Sequence, residues 1–200
     1  MLTAVFSLAF VLTTGSATPV PKEADCPAAY YPTKIGTKWS YDCRGVRPRN
    51  SGEMVVRNVE RKGNDTVVTT EFEDGGQWRV GEKMLVSSRG LFVLERGGST
   101  FDPPVCLLKL PHKPGAQWET VTKFGDSEIR FKHKALRPEL VRVAAGRFEA
   151  LPVVEHMQFV DSDAKLWPNT HWYAPGVGRV KQTNEGGLRY LMESFTPPER

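Results

Sequence analysis

Apolar and polar residues alternate along most of this chain with a period of two. Trp39, Tyr41 and Cys43 interleave with Ser40, Asp42 and Arg44, and Ile129, Phe131 and His133 interleave with Arg130, Lys132 and Lys134. Side chains two apart share a face of a strand, so each segment has an apolar side and a charged side. That is the pattern of antiparallel sheet with one wet face. Turn-forming residues punctuate the segments at short intervals: Gly63-Asn64-Asp65, Asp74-Gly75-Gly76, Gly97-Gly98, Gly125-Asp126 and Glu185-Gly186-Gly187. The expectation is an all-β or mostly β fold, an antiparallel meander of roughly ten to twelve strands forming a curved sheet or partly open barrel.

One stretch contests this pattern. Between Pro138 and Leu151, the residues Leu140, Val141, Ala144, Ala145, Phe148 and Leu151 also fit a helical stripe. Gly146 in the middle would cost a helix about 1 kcal/mol, and Pro138 and Pro152 bound the stretch. Strand–turn–strand is the preferred reading, with Val141, Val143 and Ala145 on one face and a turn at Gly146 leading into Phe148 to Phe159.

A nine-residue window occurs twice. Tyr31-Pro32-Thr33-Lys34-Ile35-Gly36-Thr37-Lys38-Trp39 aligns with Leu110-Pro111-His112-Lys113-Pro114-Gly115-Ala116-Gln117-Trp118, with Pro, Lys, Gly and Trp in register. Pro ends an extended approach, Gly permits a tight turn, and the strand that follows lays a Trp into the core. Two half-units are expected, about 31–100 and 110–196, within one β domain over 30–196, followed by a tail at 197–200.

The N-terminus adds a compartment. Leu2 to Thr14 is an uncharged apolar run, too short to cross a ~30 Å hydrocarbon core but suited to a signal-peptide h-region. Small residues follow at Gly15, Ser16 and Ala17, so residues 1–17 read as a signal peptide and 18–29 as a flexible segment; no Lys or Arg precedes the apolar run. Export to the periplasm or the exterior is expected, with no transmembrane span after cleavage. Cys26 follows Glu23-Ala24-Asp25 rather than the small residues, so no lipid anchor is expected. An oxidising compartment permits disulfides. Of the three cysteines, Cys26 and Cys43 form a possible pair that would tie the N-terminal segment to the first strand, whereas Cys106, in Val105-Cys106-Leu107-Leu108, reads as a buried small hydrophobe.

The segments YPTKIGTKWSY, FDPPVCLLKLPHKPGAQW, VRVAAGRFEALPVV and HWYAPGVGRVK, in that order, resemble a broad group of bacterial exported proteins of unknown function. The resemblance covers most of residues 30–196. It implies an antiparallel, partly open β-barrel similar to that of periplasmic lipoprotein carriers. It implies no reaction, since the group has no established catalytic residues. Members are often lipoproteins, and this sequence departs from them in lacking the lipidation cysteine.

Composition and charge narrow the function. Lys plus Arg is 27 and Asp plus Glu is 23, a formal net charge of +4, too mild an excess to argue for nucleic acid. Clusters at Arg44, Arg47 and Arg49 and at Arg130, Lys132 and Lys134 read as a solvated face, because Phe131 alternates away from the cations instead of offering them a stacking platform. The histidines His112, His133, His156 and His171 lack metal-ligand spacing and read as surface or edge-strand residues; no metal and no cofactor is implied. No nucleophile elbow or phosphate loop is present, and the acidic loop Asp161-Ser162-Asp163-Ala164-Lys165 reads as a turn.

The aromatic residues carry the sharpest hypothesis. Trp39, Tyr41, Trp78, Trp118, Trp172 and Tyr173 lie in or beside expected strands. They could supply ordinary core or line a ligand-sized cleft in a sheet too large to fill its own concavity. The ligand-cavity candidates are Trp39, Tyr41, Trp118, Trp172 and Tyr173. The leading expectation is a non-enzymatic exported binding protein for an apolar or amphipathic, lipid-like ligand. The alternatives are an envelope module that docks a protein or anionic polymer, and a hydrolase assembled from groups such as His171, Glu155 and Asp161.

Overall fold

A computed structural model of the chain describes residues 29–45, 52–162 and 166–198. Thirteen strands lie among them: β1 Lys38–Arg44, β2 Met54–Lys62, β3 Asp65–Asp74, β4 Gln77–Ser87, β5 Gly90–Arg96, β6 Ser99–Lys109, β7 Gln117–Phe124, β8 Ser127–Ala135, β9 Glu139–Val143, β10 Gly146–Phe159, β11 Asn169–Ala174, β12 Gly178–Asn184 and β13 Arg189–Thr196. All pair antiparallel. The stretch that also fitted a helix is strand–turn–strand, with β9 and β10 meeting at Ala144-Ala145.

Short turns drive the meander. Asp74 pairs with Gln77 and Arg96 with Ser99 across two-residue Gly-Gly turns. Both glycines of each turn have positive φ, between 57° and 84°, the conformation that matches the twist of a tight hairpin and that residues with a Cβ resist. From β1 to β8 each strand pairs with the next in sequence, then β10 pairs with β8, β11 with β10, and β13 returns to β1. A ring of twelve strands results. The remaining strand, β9, pairs with β10 over 146–150, where β8 no longer does.

The ring is thin at two seams. β1 and β2 are paired only at Lys38–Val55 and Trp39–Met54, and β6 and β7 only at Phe101–Phe124 and Asp102–Lys123. At the second seam, side chains replace the missing ladder: Trp118 Nε1 donates to Cys106 O at 2.7 Å, and Thr122 Oγ1 donates to Pro103 O at 2.7 Å.

The two nine-residue windows fold alike. Gly36 N donates to Val56 O and Val56 N to Thr37 O, while Gly115 N donates to Ala135 O and Ala135 N to Ala116 O. The two glycines have φ of 85° and 87°. Lys38–Val55 and Trp39–Met54 recur as Gln117–Lys134 and Trp118–His133, the same register displaced along the chain.

Alternation fills the interior from strands all round the ring. Val56, Val68, Met84, Val105, Val153 and Met192 are fully or almost fully buried. Side chains of this size each contribute about 1.5–3 kcal/mol by leaving water. The outer face is charged and largely neutralised by cross-strand pairs, including Lys38–Glu53, Arg57–Glu71, Lys83–Glu95 and Arg130–Glu119. No helix among the described residues is long and apolar enough to cross a membrane.

Candidate functional site

The interior keeps a cavity of about 340 Å³. Its apolar and aromatic wall comes from Trp39 and Tyr41 of β1, Met84 of β4, Leu107 of β6, Phe131 of β8 and Tyr173 of β11. Tyr31, from the segment before β1, is also in the wall, edge-on to Trp39 with ring centroids 6.1 Å apart. Charged and polar side chains enter the same wall, among them Glu82, Arg96, Glu155, His171, Arg179 and Gln182.

Two bulges aim the arginines inward. In β5 the ladder passes from Met84–Val93 to Lys83–Glu95, leaving Leu94 unopposed. In β12 it passes from Trp172–Lys181 to Tyr173–Arg179, leaving Val180 unopposed. An extra residue in one strand reverses which side its later neighbours face. Arg96 thus shares a face with its partner Glu82, and Arg179 shares one with Tyr173 and Gln182. Arg96 Nε lies 2.9 Å from Glu82 Oε1, and Arg179 Nη1 donates to Gln182 Oε1 at 2.8 Å.

Arg179 sits among aromatic rings. Its guanidinium carbon is 5.5 Å from the Tyr41 ring centroid and 5.6 Å from that of Tyr190, within the range of cation–π attraction. The Tyr41 hydroxyl donates to Arg179 O at 2.7 Å. Burial would push Glu82 up, but the charges of Arg96 and Arg179 outweigh it and hold the carboxyl below its usual range. Burial also raises the Tyr41 and Tyr173 hydroxyls, so both are protonated at neutral pH.

A second polar group lies on β8, β10 and β11. Glu155 Oε2 is 3.3 Å from His133 Nε2, and its Oε1 is 3.4 Å from His171 Nε2. His133 and His171 are only 3% and 6% exposed, which corrects their reading as surface or edge-strand residues. Both stand at inward positions of their strands, and His133 shares its parity with Ile129 and Phe131. Trp118 stacks on His133 with centroids 5.2 Å apart and planes 7° from parallel. Burial depresses His171 despite the pull of Glu155.

The expected aromatic set divides. Trp39, Tyr41 and Tyr173 line the cavity, whereas Trp118 and Trp172 are not in its wall. Trp118 is used to bridge the β6–β7 seam. Trp172 follows an inward residue and precedes another, so it points outward. There Lys181 Nζ sits 4.2 Å from its ring centroid, and its Nε1 donates to Glu139 of β9, which covers it. Trp78 is exposed, with Arg57 stacked 4.5 Å over its ring.

Cys43 is buried in β1, its Sγ 3.6 Å from Tyr41 O; its suggested partner Cys26 lies outside the described residues, as do Arg47, Arg49 and residues 1–28. Cys106, expected to be buried, is only partly so, and burial pushes its thiol up to about 11. The hydrolase set does not assemble: His171 and Glu155 meet in the cavity, but Asp161 lies in a separate surface depression with Lys123, Asp126 and Glu128. Among the described residues no group of three His, Cys, Asp or Glu side chains is placed to hold a metal.

No family model matches the sequence, and no curated protein matches it. Solved structures do. One, from Bacteroides fragilis, is described as a candidate exported protein with a YmcC-like fold. It is 17% identical, with a TM-score of 0.58 over 85% of this chain and 100% of its own. This chain adopts the YmcC-like fold. A second, from Parabacteroides distasonis, is described as a candidate lipoprotein and is 15% identical, with a TM-score of 0.57 over 86% of this chain and 100% of its own. The YmcC-like barrel thus agrees with the architecture implied by the four sequence segments.

Proposed function

We propose that this chain is an exported, non-enzymatic binding protein of the cell envelope whose barrel holds an amphipathic small molecule. The carrying observation is the 340 Å³ interior cavity with a mixed wall, in which Trp39, Met84, Leu107 and Phe131 share one space with Glu82, His171 and Arg179. Protein interiors are normally filled to crystal-like density, and ligand sites combine a mainly apolar lining with a few convergent polar groups. Arg96 is in the wall of the cavity and its side chain is half exposed to solvent. Export is supported by the uncharged run Leu2 to Thr14 and by the fold shared with proteins described as a candidate exported protein and a candidate lipoprotein.

Native mass spectrometry of the protein purified from its own envelope tests this reading. A discrete adduct of small-molecule mass that is lost on organic extraction is expected. A clean mass of the polypeptide alone, with no uptake of added alkyl amphiphile, would overturn it.

A further inference from the structure

The charges inside the barrel are unevenly matched. Arg96 has Glu82 at 2.9 Å, and Glu155 lies between His133 and His171. Arg179 has no such partner: among the described residues no carboxylate oxygen lies within ion-pair distance of it, and its Nε is buried with no hydrogen bond. A guanidinium keeps its charge, and holding it half-buried without a contact counter-ion is costly. The flanking rings of Tyr41 and Tyr190, the bond to Gln182 and the field of the more distant Glu82 carboxylate offset that, but none of them gives Arg179 a contact ion pair. A β-bulge places this cation in the cavity wall instead of on the wet outer face, where Lys181 lies.

We propose that Arg179 anchors the anionic head of the bound molecule, so that the ligand is an acidic amphiphile, a carboxylate or a phosphate carried on an alkyl tail. This rests on the reading of the barrel as an amphiphile-binding protein. The head meets the Arg179 guanidinium in a charge-assisted hydrogen bond. The tail lies along Trp39, Met84, Leu107 and Phe131 in the same cavity. Glu82 and Glu155 also line the space, but each already faces its own cationic or imidazole partner.

Calorimetric titration of the full chain with octanoate, octyl phosphate and 1-octanol, at one pH and salt concentration, tests the assignment. Both anions are expected to bind at least about tenfold more tightly than the alcohol, and the stronger of the two identifies the head. Arg179→Met is expected to bring the anions down to the affinity of the alcohol without changing the alcohol's own. Acetate and inorganic phosphate, which lack the tail, are expected to bind at least about tenfold more weakly than the octyl anions. An alcohol that binds as tightly as octanoate, or an unchanged anion preference in Arg179→Met, overturns the role of Arg179 and leaves the binding function standing. Failure of all three octyl compounds overturns both. If Arg179→Met does not fold, the wild-type ratio of octanoate to octanol decides.

Discussion

Tyr173 and Arg179 stand opposite each other across the β11–β12 ladder and both face the barrel interior, because Val180 is an unopposed extra residue. Were Val180 an ordinary residue of the ladder, strict alternation would put Arg179 on the same side as Lys181, which stacks on Trp172 outside the ring. The bulge at Val180 therefore decides whether the cavity contains this cation.

A cation held for a ligand is a burden to the empty protein. Arg179→Met should leave the thermal midpoint of the ligand-free chain unchanged or raise it by up to about 4 °C, whereas most substitutions of a half-buried side chain lower it. Differential scanning calorimetry checks this. A fall of more than about 4 °C would mean that Arg179 serves the fold.

Glu82 has the opposite sign. Glu82→Gln neutralises the 2.9 Å ion-pair partner of Arg96 and removes the charge whose field reaches Arg179. The expected loss is about 1–2 kcal/mol, below that of a fully buried pair because Arg96 is half exposed to solvent. Urea unfolding of the variant against the parent measures it.

The β6–β7 seam depends on side chains. Trp118→Phe keeps an aromatic ring against His133 but removes the donor to Cys106 O. A cost of about 1–2 kcal/mol is expected, with faster amide hydrogen exchange in β6 and β7 than in the fully paired β2–β3 hairpin. Unchanged exchange at the seam would show that the ladder holds without that bond.

Acid should weaken the fold in two stages. Burial lowers His171 below its ordinary 6.5, and the nearby Arg179 and His133 oppose its charge, although Glu155 favours it. The unfolded chain therefore binds this proton first, and stability falls as the pH drops below about 6.5. Burial would raise Glu155, but His171 and His133 outweigh it and hold the carboxyl well below its ordinary 4.5. A further loss follows as the pH falls below about 4.5 and Glu155 becomes protonated in the unfolded chain before the folded one. The urea midpoint should be lower at about pH 5.5 than at about pH 8, and His171→Gln should remove most of that difference.

Much of the barrel could be read from the chain because alternation and Gly-rich turns are local signals. The segment Ile129, Phe131, His133 announced its inward face, and that same parity could have placed His133 inside. The twin windows ending at Trp39 and Trp118 announced two equivalent turns. Ring closure was harder to read, since β8–β10 and β1–β13 pairing joins residues far apart in sequence. The inward arginines escaped notice for a sharper reason. The bulges at Leu94 and Val180 reverse the parity on which the reading depends, and both are ordinary apolar residues with no mark in the sequence. Trp172 and Tyr173 could not both have faced the cavity as consecutive residues of an unbulged strand, and the structure assigns that role to Tyr173.

The most direct measurement is a high-resolution crystal structure of the protein isolated from its own envelope and never exposed to organic solvent. The account predicts continuous elongated density in the cavity, with one end against the Arg179 guanidinium between Tyr41 and Tyr190 and the rest along Trp39 and Phe131. A cavity holding only isolated waters, or side chains collapsed to fill it, would contradict it.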